Sequence, residues 1–264
     1  MRRILAALML LSCSAAALSA DQHYAGYLTP GEFDVSTALE PAPRKGDPRF
    51  EADRAIFRAT RALLGTPRGD LAARDVKTDP AAMMRAFSCA VGVTLTPDNA
   101  PAVSRVIDRA GIDTGAQNAA AKKVFKRRRP FIYDKGAICQ PKADLDIYDY
   151  PSGHTARGWT WALLLAELAP DRAGPILARG RAFGESRFVC GAHNESAVEA
   201  GMASAGATLA VVRAKPAFKA DLDRARTELG RLRADPAASH PQGCAAEAAL
   251  IAERVMPKLD PLRR

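Results

Sequence analysis

Pro151-Ser152-Gly153-His154 runs straight into an apolar stretch, residues 155–168, which reads as a helix. Ser152 suits the N-cap. Gly153 offers its backbone N–H with no side chain to block an approaching ligand. A helix starting there aims unpaired N–H groups and the positive end of its dipole at one spot, which suits an oxyanion such as phosphate. His154 at the same place can move a proton near neutral pH. Alone, these four residues read better as a capped helix with an incidental histidine.

Two other stretches change that balance. Lys122 and Arg129 are seven residues apart, nearly two helical turns. On one continuous helix they would share a face, about 10 Å apart along the axis, and grip one anion from two sides. Taken alone, they belong to a solvated basic face with Lys123, Lys126, Arg127 and Arg128. The third stretch runs from Ser186-Arg187 to Gly191-Ala192-His193. Arg187 can give bidentate hydrogen bonds to a phosphate. Gly191 breaks the helix there, which places His193 at the start of the next one. A neutral imidazole in that position can attack phosphorus; the plainer role is a histidine capping a helix.

These groups need a frame. The chain has 264 residues, enough for one large domain. Arg2-Arg3, an apolar run at 4–11 and a small-residue segment at 12–20 read as a secretory signal peptide cleaved after Ala20. Lipoprotein processing at Cys13 is the alternative reading. No later run is apolar and long enough for a membrane helix. The mature chain is therefore expected to be exported to the periplasm, with no integral membrane association. Its leader gone, Cys89, Cys139, Cys190 and Cys244 remain; in an oxidising compartment they suggest two disulfides, with all three pairings open. The formal charge of +9 drops to near +7 without Arg2 and Arg3. That favours anionic ligands, and export argues against a nucleic-acid partner for the basic run at 126–129.

Residues 21–47, rich in proline, glycine and turn formers, read as an extended arm. From Pro48 onward helical periodicity dominates: 50–64, a short helix at 70–76, then 80–91, 97–109, 114–124, 152–169, 171–189, 194–213, 216–233 and 243–255. Residues 131–150 read as a loop. No alternating strand pattern, internal repeat or clean linker stands out. The expected fold is all-α: one helical bundle over 48–264.

Lys122, six residues, Arg129-Pro130; then Pro151-Ser152-Gly153-His154; then Ser186-Arg187, five residues, His193: this ordered pattern, with gaps of 20 and 31 residues, resembles the tripartite signature of the type 2 phosphatidic acid phosphatase and vanadium haloperoxidase superfamily. With the leader and the segment at 85–93, the chain is similar to the bacterial class A non-specific acid phosphatases. The resemblance implies that Lys122, Arg129, Arg187, Ser152 and the Gly153 N–H bind phosphoryl oxygens. It implies that His193 is the nucleophile, and that His154 protonates the leaving alcohol and then activates water. The implied substrates are small phosphate monoesters, with no cofactor or metal, and vanadate as a phosphate-mimicking inhibitor. The oligomeric state is left open, a homo-oligomer included.

One residue departs from the pattern. Four residues after the nucleophilic histidine the family carries an aspartate that binds the far imidazole nitrogen; here that residue is Ala197. Ser196, a carboxylate such as Asp146 or Asp149, or a backbone carbonyl are the candidates to replace it. Ala197 also admits a second reading, a phosphate-binding protein without turnover. A vanadate-dependent haloperoxidase is a third.

Overall fold

Proline opens six of the helices, at the position where its missing N–H costs nothing. We describe residues 25–257 in a computed structural model. The helices are α1 (Pro48–Thr60), α2 (Pro67–Arg74), α3 (Pro80–Val91), α4 (Pro101–Phe125), α5 (Pro130–Tyr133), α6 (Gly153–Leu168), α7 (Ala173–Cys190), α8 (Glu195–Val212), α9 (Pro216–Ala234) and α10 (Cys244–Ala252). Thr66, Asp79 and Ser152 accept N-cap bonds from Gly69, Ala82 and Thr155. Among the described residues there is no strand, only an isolated antiparallel bridge between Arg128 and Tyr148. The fold is all-α. The leader lies outside the described residues, as do Cys13 and residues 21–24.

α6 is apolar around most of its circumference, so it must be surrounded. It packs against α7, α8 and α4, and touches α3 and α9. Trp161, Leu164 and Leu165 are fully buried on it. Trp161 stacks on Phe87 of α3 at 6.2 Å, and Phe87 on Phe183 of α7 at 6.5 Å. Gly201 of α8 lets that helix pass close to the start of α6: a Cβ there would lie 2.6 Å from the Ser152 carbonyl oxygen.

Two helix expectations are corrected. The helices expected over 97–109 and 114–124 are one helix, α4, which starts only at Pro101 and runs unbroken to Phe125; residues 97–99 form a turn before it. Asp113 does not cap a new helix; its carboxylate accepts the backbone N–H groups of Tyr27 (2.7 Å) and Leu28 (3.1 Å) in the segment preceding α1. Gln117, one turn on, holds the same segment through the N–H of Val35 and the carbonyl of Phe33. Asp171 likewise does not start α7. It sits in a 3₁₀ turn, Pro170–Arg172, and pairs with Arg233 of α9. The disulfides are Cys89–Cys244, joining α3 to α10, and Cys139–Cys190, joining the 131–150 segment to the end of α7.

Candidate active site

Because α4, α6, α7 and α8 pack together, the end of α4, the start of α6 and the α7–α8 turn meet at one end of the bundle. The α7–α8 turn is built first from the backbone. Gly191 takes φ +82° and ends α7; Ala192 N–H (3.0 Å) and His193 N–H (3.2 Å) both return to the Arg187 carbonyl. That turn fixes the spacing of Arg187 and His193. Arg61, which the sequence reading missed, covers it. Its guanidinium donates to the carbonyls of Phe188 and Val189 at 2.8 Å each. A Cβ on residue 191 would lie 2.3 Å from Arg61 Nη1, so the position needs glycine twice over.

Lys122 and Arg129 come together, but not as two residues on one helix face. α4 stops at Phe125, Lys126 turns the chain with φ +51°, and Arg129 lies on the segment that leads into α5. What joins them is Asp146. Its carboxylate accepts from Lys122 Nζ at 2.9 Å and Arg129 Nη2 at 2.7 Å, and its carbonyl accepts from Arg129 Nε at 2.6 Å. Burial acts to raise the Asp146 pKa, but the two cations hold it below the usual carboxylate range. Its side chain is 57 % exposed, whereas Arg129 is buried. The basic run at 126–129 is therefore not one face: Arg127 and Arg129 point inward, and Lys126 and Arg128 are exposed.

His193 is buried. Its Nδ1 faces the Asp149 carbonyl (2.8 Å) and the Asp149 carboxylate (2.9 Å). Its Nε2 lies 2.9 Å from Arg129 Nη1. Acceptors alone meet Nδ1 and a donor meets Nε2, so Nδ1 carries the hydrogen and Nε2 presents its lone pair. Burial, then Arg129, Lys122 and Arg187, hold the ring neutral, well below the ordinary histidine pKa. His154, in the first turn of α6, has Nε2 3.0 Å from the Val76 carbonyl. Nε2 therefore carries the hydrogen, leaving Nδ1 to exchange a proton. Burial lowers its pKa to about 3, helped by Arg187, Arg129 and Lys122.

Arg187 is fully buried, and burial lowers its pKa to about 9. Nη2 donates to Gln140 Oε1 at 2.6 Å, while Nε and Nη1 have no partner among the described residues. A buried guanidinium with two idle donors calls for an acceptor. Ser152 Oγ accepts from Thr155 N–H (3.3 Å) and Thr155 Oγ1 (2.9 Å), which leaves its own hydrogen to donate. Gly153 has only Asn118 Oδ1 near its Cβ position, at 3.5 Å.

Asp149 is wholly buried. Burial raises its pKa to about 6, opposed by Arg127 and by hydrogen bonding from Asn194. Ser196 is committed elsewhere, with its hydroxyl between Asp53 Oδ2 (2.6 Å) and Arg127 Nη1 (2.5 Å). Glu195 and Glu199 both pair with Arg49. Asp53, Arg127, Asn194 and Gln140 were not singled out in the sequence. Their only signal there is proximity to a motif, and for Asp53 not even that.

The whole arrangement offers one anion a set of cations and N–H donors beside a neutral imidazole and a second histidine. The PAP2 superfamily model matches residues 110–219, which span every one of these groups except Arg49, Asp53, Arg61 and Val76. The chain is 38 % identical over 198 residues to an acid phosphatase of Zymomonas mobilis, covering 74 % of this chain and 75 % of that one. It is 35 % identical over 206 residues to a non-specific acid phosphatase of Providencia stuartii, covering 76 % and 83 %. A non-specific acid phosphatase of Salmonella typhimurium is 35 % identical over 195 residues, covering 72 % and 78 %. Likeness of this extent on both sides, with the site described above, places the chain in a family: it belongs to the acid phosphatases of the PAP2 superfamily.

Proposed function

We propose that this acid phosphatase is a periplasmic enzyme that hydrolyses phosphate monoesters of broad structure through a phosphohistidine on His193, without a metal ion. The observation that carries the reading is the pairing of a His193 Nε2 lone pair with a buried Arg187 that keeps two donors idle.

In the first step the Nε2 lone pair attacks phosphorus. The P–N bond forms, the P–O bond to the alcohol breaks, and His154, which takes up a solvent proton at Nδ1 once the substrate's phosphate offsets the surrounding cations, gives that proton to the departing oxygen. His154 then takes a proton from water. The water oxygen attacks phosphorus, the P–N bond breaks, and inorganic phosphate leaves with His193 neutral again. Lys122, Arg129, Arg187, the Ser152 hydroxyl and the Gly153 N–H hold the three phosphoryl oxygens while charge spreads over them. Those cations supply the charge stabilisation that a metal would otherwise bring. They also form the cradle in which vanadate should inhibit. The N-terminal segment 1–20 supplies export, and among the described residues no helix is long and apolar enough to cross a membrane.

The binding-only reading rested on Ala197, and it loses its motivation because Nδ1 of His193 already has a carboxylate partner. The test is turnover of p-nitrophenyl phosphate from about pH 4 to about pH 8, with and without EDTA, for wild type and His193→Ala. Wild type should turn over equally in both buffers, and His193→Ala should lose at least about a thousandfold in kcat. Loss of activity in EDTA would overturn the metal-free mechanism, and an active His193→Ala would overturn the phosphohistidine.

A further inference from the structure

We propose that Asp149 is the carboxylate that positions His193, taking the place that Ala197 vacates on the histidine's own helix. This rests on the phosphohistidine reading above and deepens it. Asp149 lies 44 residues before His193, on the other side of α6 and α7 in the chain.

The geometry leaves no rival from another residue. Both neighbours of His193 Nδ1 come from Asp149, its carbonyl at 2.8 Å and its Oδ1 at 2.9 Å. Ala197 has no side-chain acceptor. Ser196 is held by Asp53 and Arg127, Asp146 by Lys122 and Arg129, and Glu195 and Glu199 by Arg49.

Asp149 is itself held on every side. Oδ1 also accepts the Asn194 N–H at 3.2 Å, and Oδ2 accepts from Asn194 Nδ2 at 2.6 Å. Its backbone N–H donates to the Arg127 carbonyl at 2.7 Å. Three residues on, the Ser152 N–H donates to the Ala197 carbonyl at 2.9 Å, which registers this loop against α8. Arg127 stands 3.9 Å from Oδ2 and is fixed in turn by Asp53 at 2.8 Å. Asp53, Arg127, Asp149, the neutral His193 ring and Arg129 thus form one buried chain, running from α1 to the cations of the site. Ring and carboxylate are both immobile before substrate arrives, which is what orientation by an outer partner requires.

The chemical need is specific. Phosphorylation at Nε2 while Nδ1 keeps its hydrogen makes the ring cationic. That cation forms in a buried pocket that already holds Lys122, Arg129 and Arg187. A carboxylate at Nδ1 offsets the charge and keeps Nε2 unprotonated for attack, without itself taking the proton. Asp149 touches neither substrate nor phosphorus, so it acts through His193 as a positioning residue.

The test compares full-length wild type, His193→Ala, Asp149→Asn and Asp149→Ala. Both Asp149 variants keep the backbone carbonyl, so they isolate the carboxylate. With folding checked by thermal melting, kcat for p-nitrophenyl phosphate should fall by at least about a hundredfold. The Kd for inorganic phosphate should move by less than about threefold, because the cradle cations stay in place. A purely structural role would move both together. Wild-type kcat in a folded Asp149→Asn, with His193→Ala inactive, would overturn the proposal and leave the phosphohistidine standing. An active His193→Ala would instead sink the reading beneath it. Should the Asp149 variants not fold, wild type decides alone. The NMR spectrum of isotope-labelled histidine should show His193 protonated at Nδ1, with that proton shifted far downfield by a carboxylate partner. A proton at Nε2, or an Nδ1 proton in the ordinary imidazole range, would overturn the proposal.

Discussion

His154, like His193, is held neutral by burial and by the cations around it. Burial and then Arg187 lower its pKa to about 3, Val76 pulling weakly the other way through its carbonyl. The folded protein therefore refuses a proton that the unfolded chain accepts near the ordinary histidine value of about 6.5. That difference destabilises the fold as pH falls from about 6.5 toward 3. On the proposed mechanism a bound phosphate should offset the same cations, raise the His154 pKa and draw in the proton that the leaving group needs. Phosphate binding should therefore tighten on acidification, beyond the change due to phosphate's own ionisation. Calorimetric Kd values for inorganic phosphate in wild type and His154→Ala isolate that part. The slope against pH should be steeper in wild type, and equal slopes would mean that His154 does not protonate on binding. At this scale the seven residues that gather at the candidate site were legible as a group because motif spacing links them. Asp149 was readable only as one of several candidates, since no local spacing rule links a ring to a carboxylate 44 residues away.

Elements explain why the cations meet. α4 carries Lys122 to its last turn and stops, and the extended segment beyond Lys126 brings Arg129 back beside it. The sequence supplied the correct pair by the wrong geometry: a seven-residue spacing fits two turns of helix equally well as a helix end plus a turn. It also split α4 at Asp113, because an aspartate followed by threonine looks like a cap. Only the tertiary fold reveals that this carboxylate serves Tyr27 and Leu28 instead. The 131–150 segment, fastened by Cys139–Cys190, delivers Asp146 onto Lys122 and Arg129. A phosphate taking those two cations must displace it. Asp146→Asn should therefore lower both KM for p-nitrophenyl phosphate and the inhibition constant for inorganic phosphate by about two- to fivefold, the worth of a partly exposed ion pair. Steady-state kinetics with product inhibition measures this. A rise in both constants would show that Asp146 assists binding rather than competing with it.

Across the whole molecule, a single apolar helix organises the site. α6 is enclosed by α4, α7 and α8, so its N-terminus arrives where the ends of α4 and α7 and the start of α8 already lie. The all-α class was legible because helical periodicity runs the length of the chain and strand alternation is missing. The disulfide pairing was not legible, since four cysteines leave three choices until α3 meets α10 and the 131–150 segment meets α7. The central claim, a covalent phosphoryl transfer through His193 in the pocket these helices close, is tested most directly by trapping the intermediate. Wild type mixed with p-nitrophenyl phosphate and quenched rapidly into alkali, where phosphohistidine survives, is digested and mapped by mass spectrometry. The account predicts one phosphoryl group, on the peptide bearing His193 and on that side chain, and none in His193→Ala. A phosphoryl group on His154 or Ser152, or full turnover with no trapped adduct at any quench time, would contradict it.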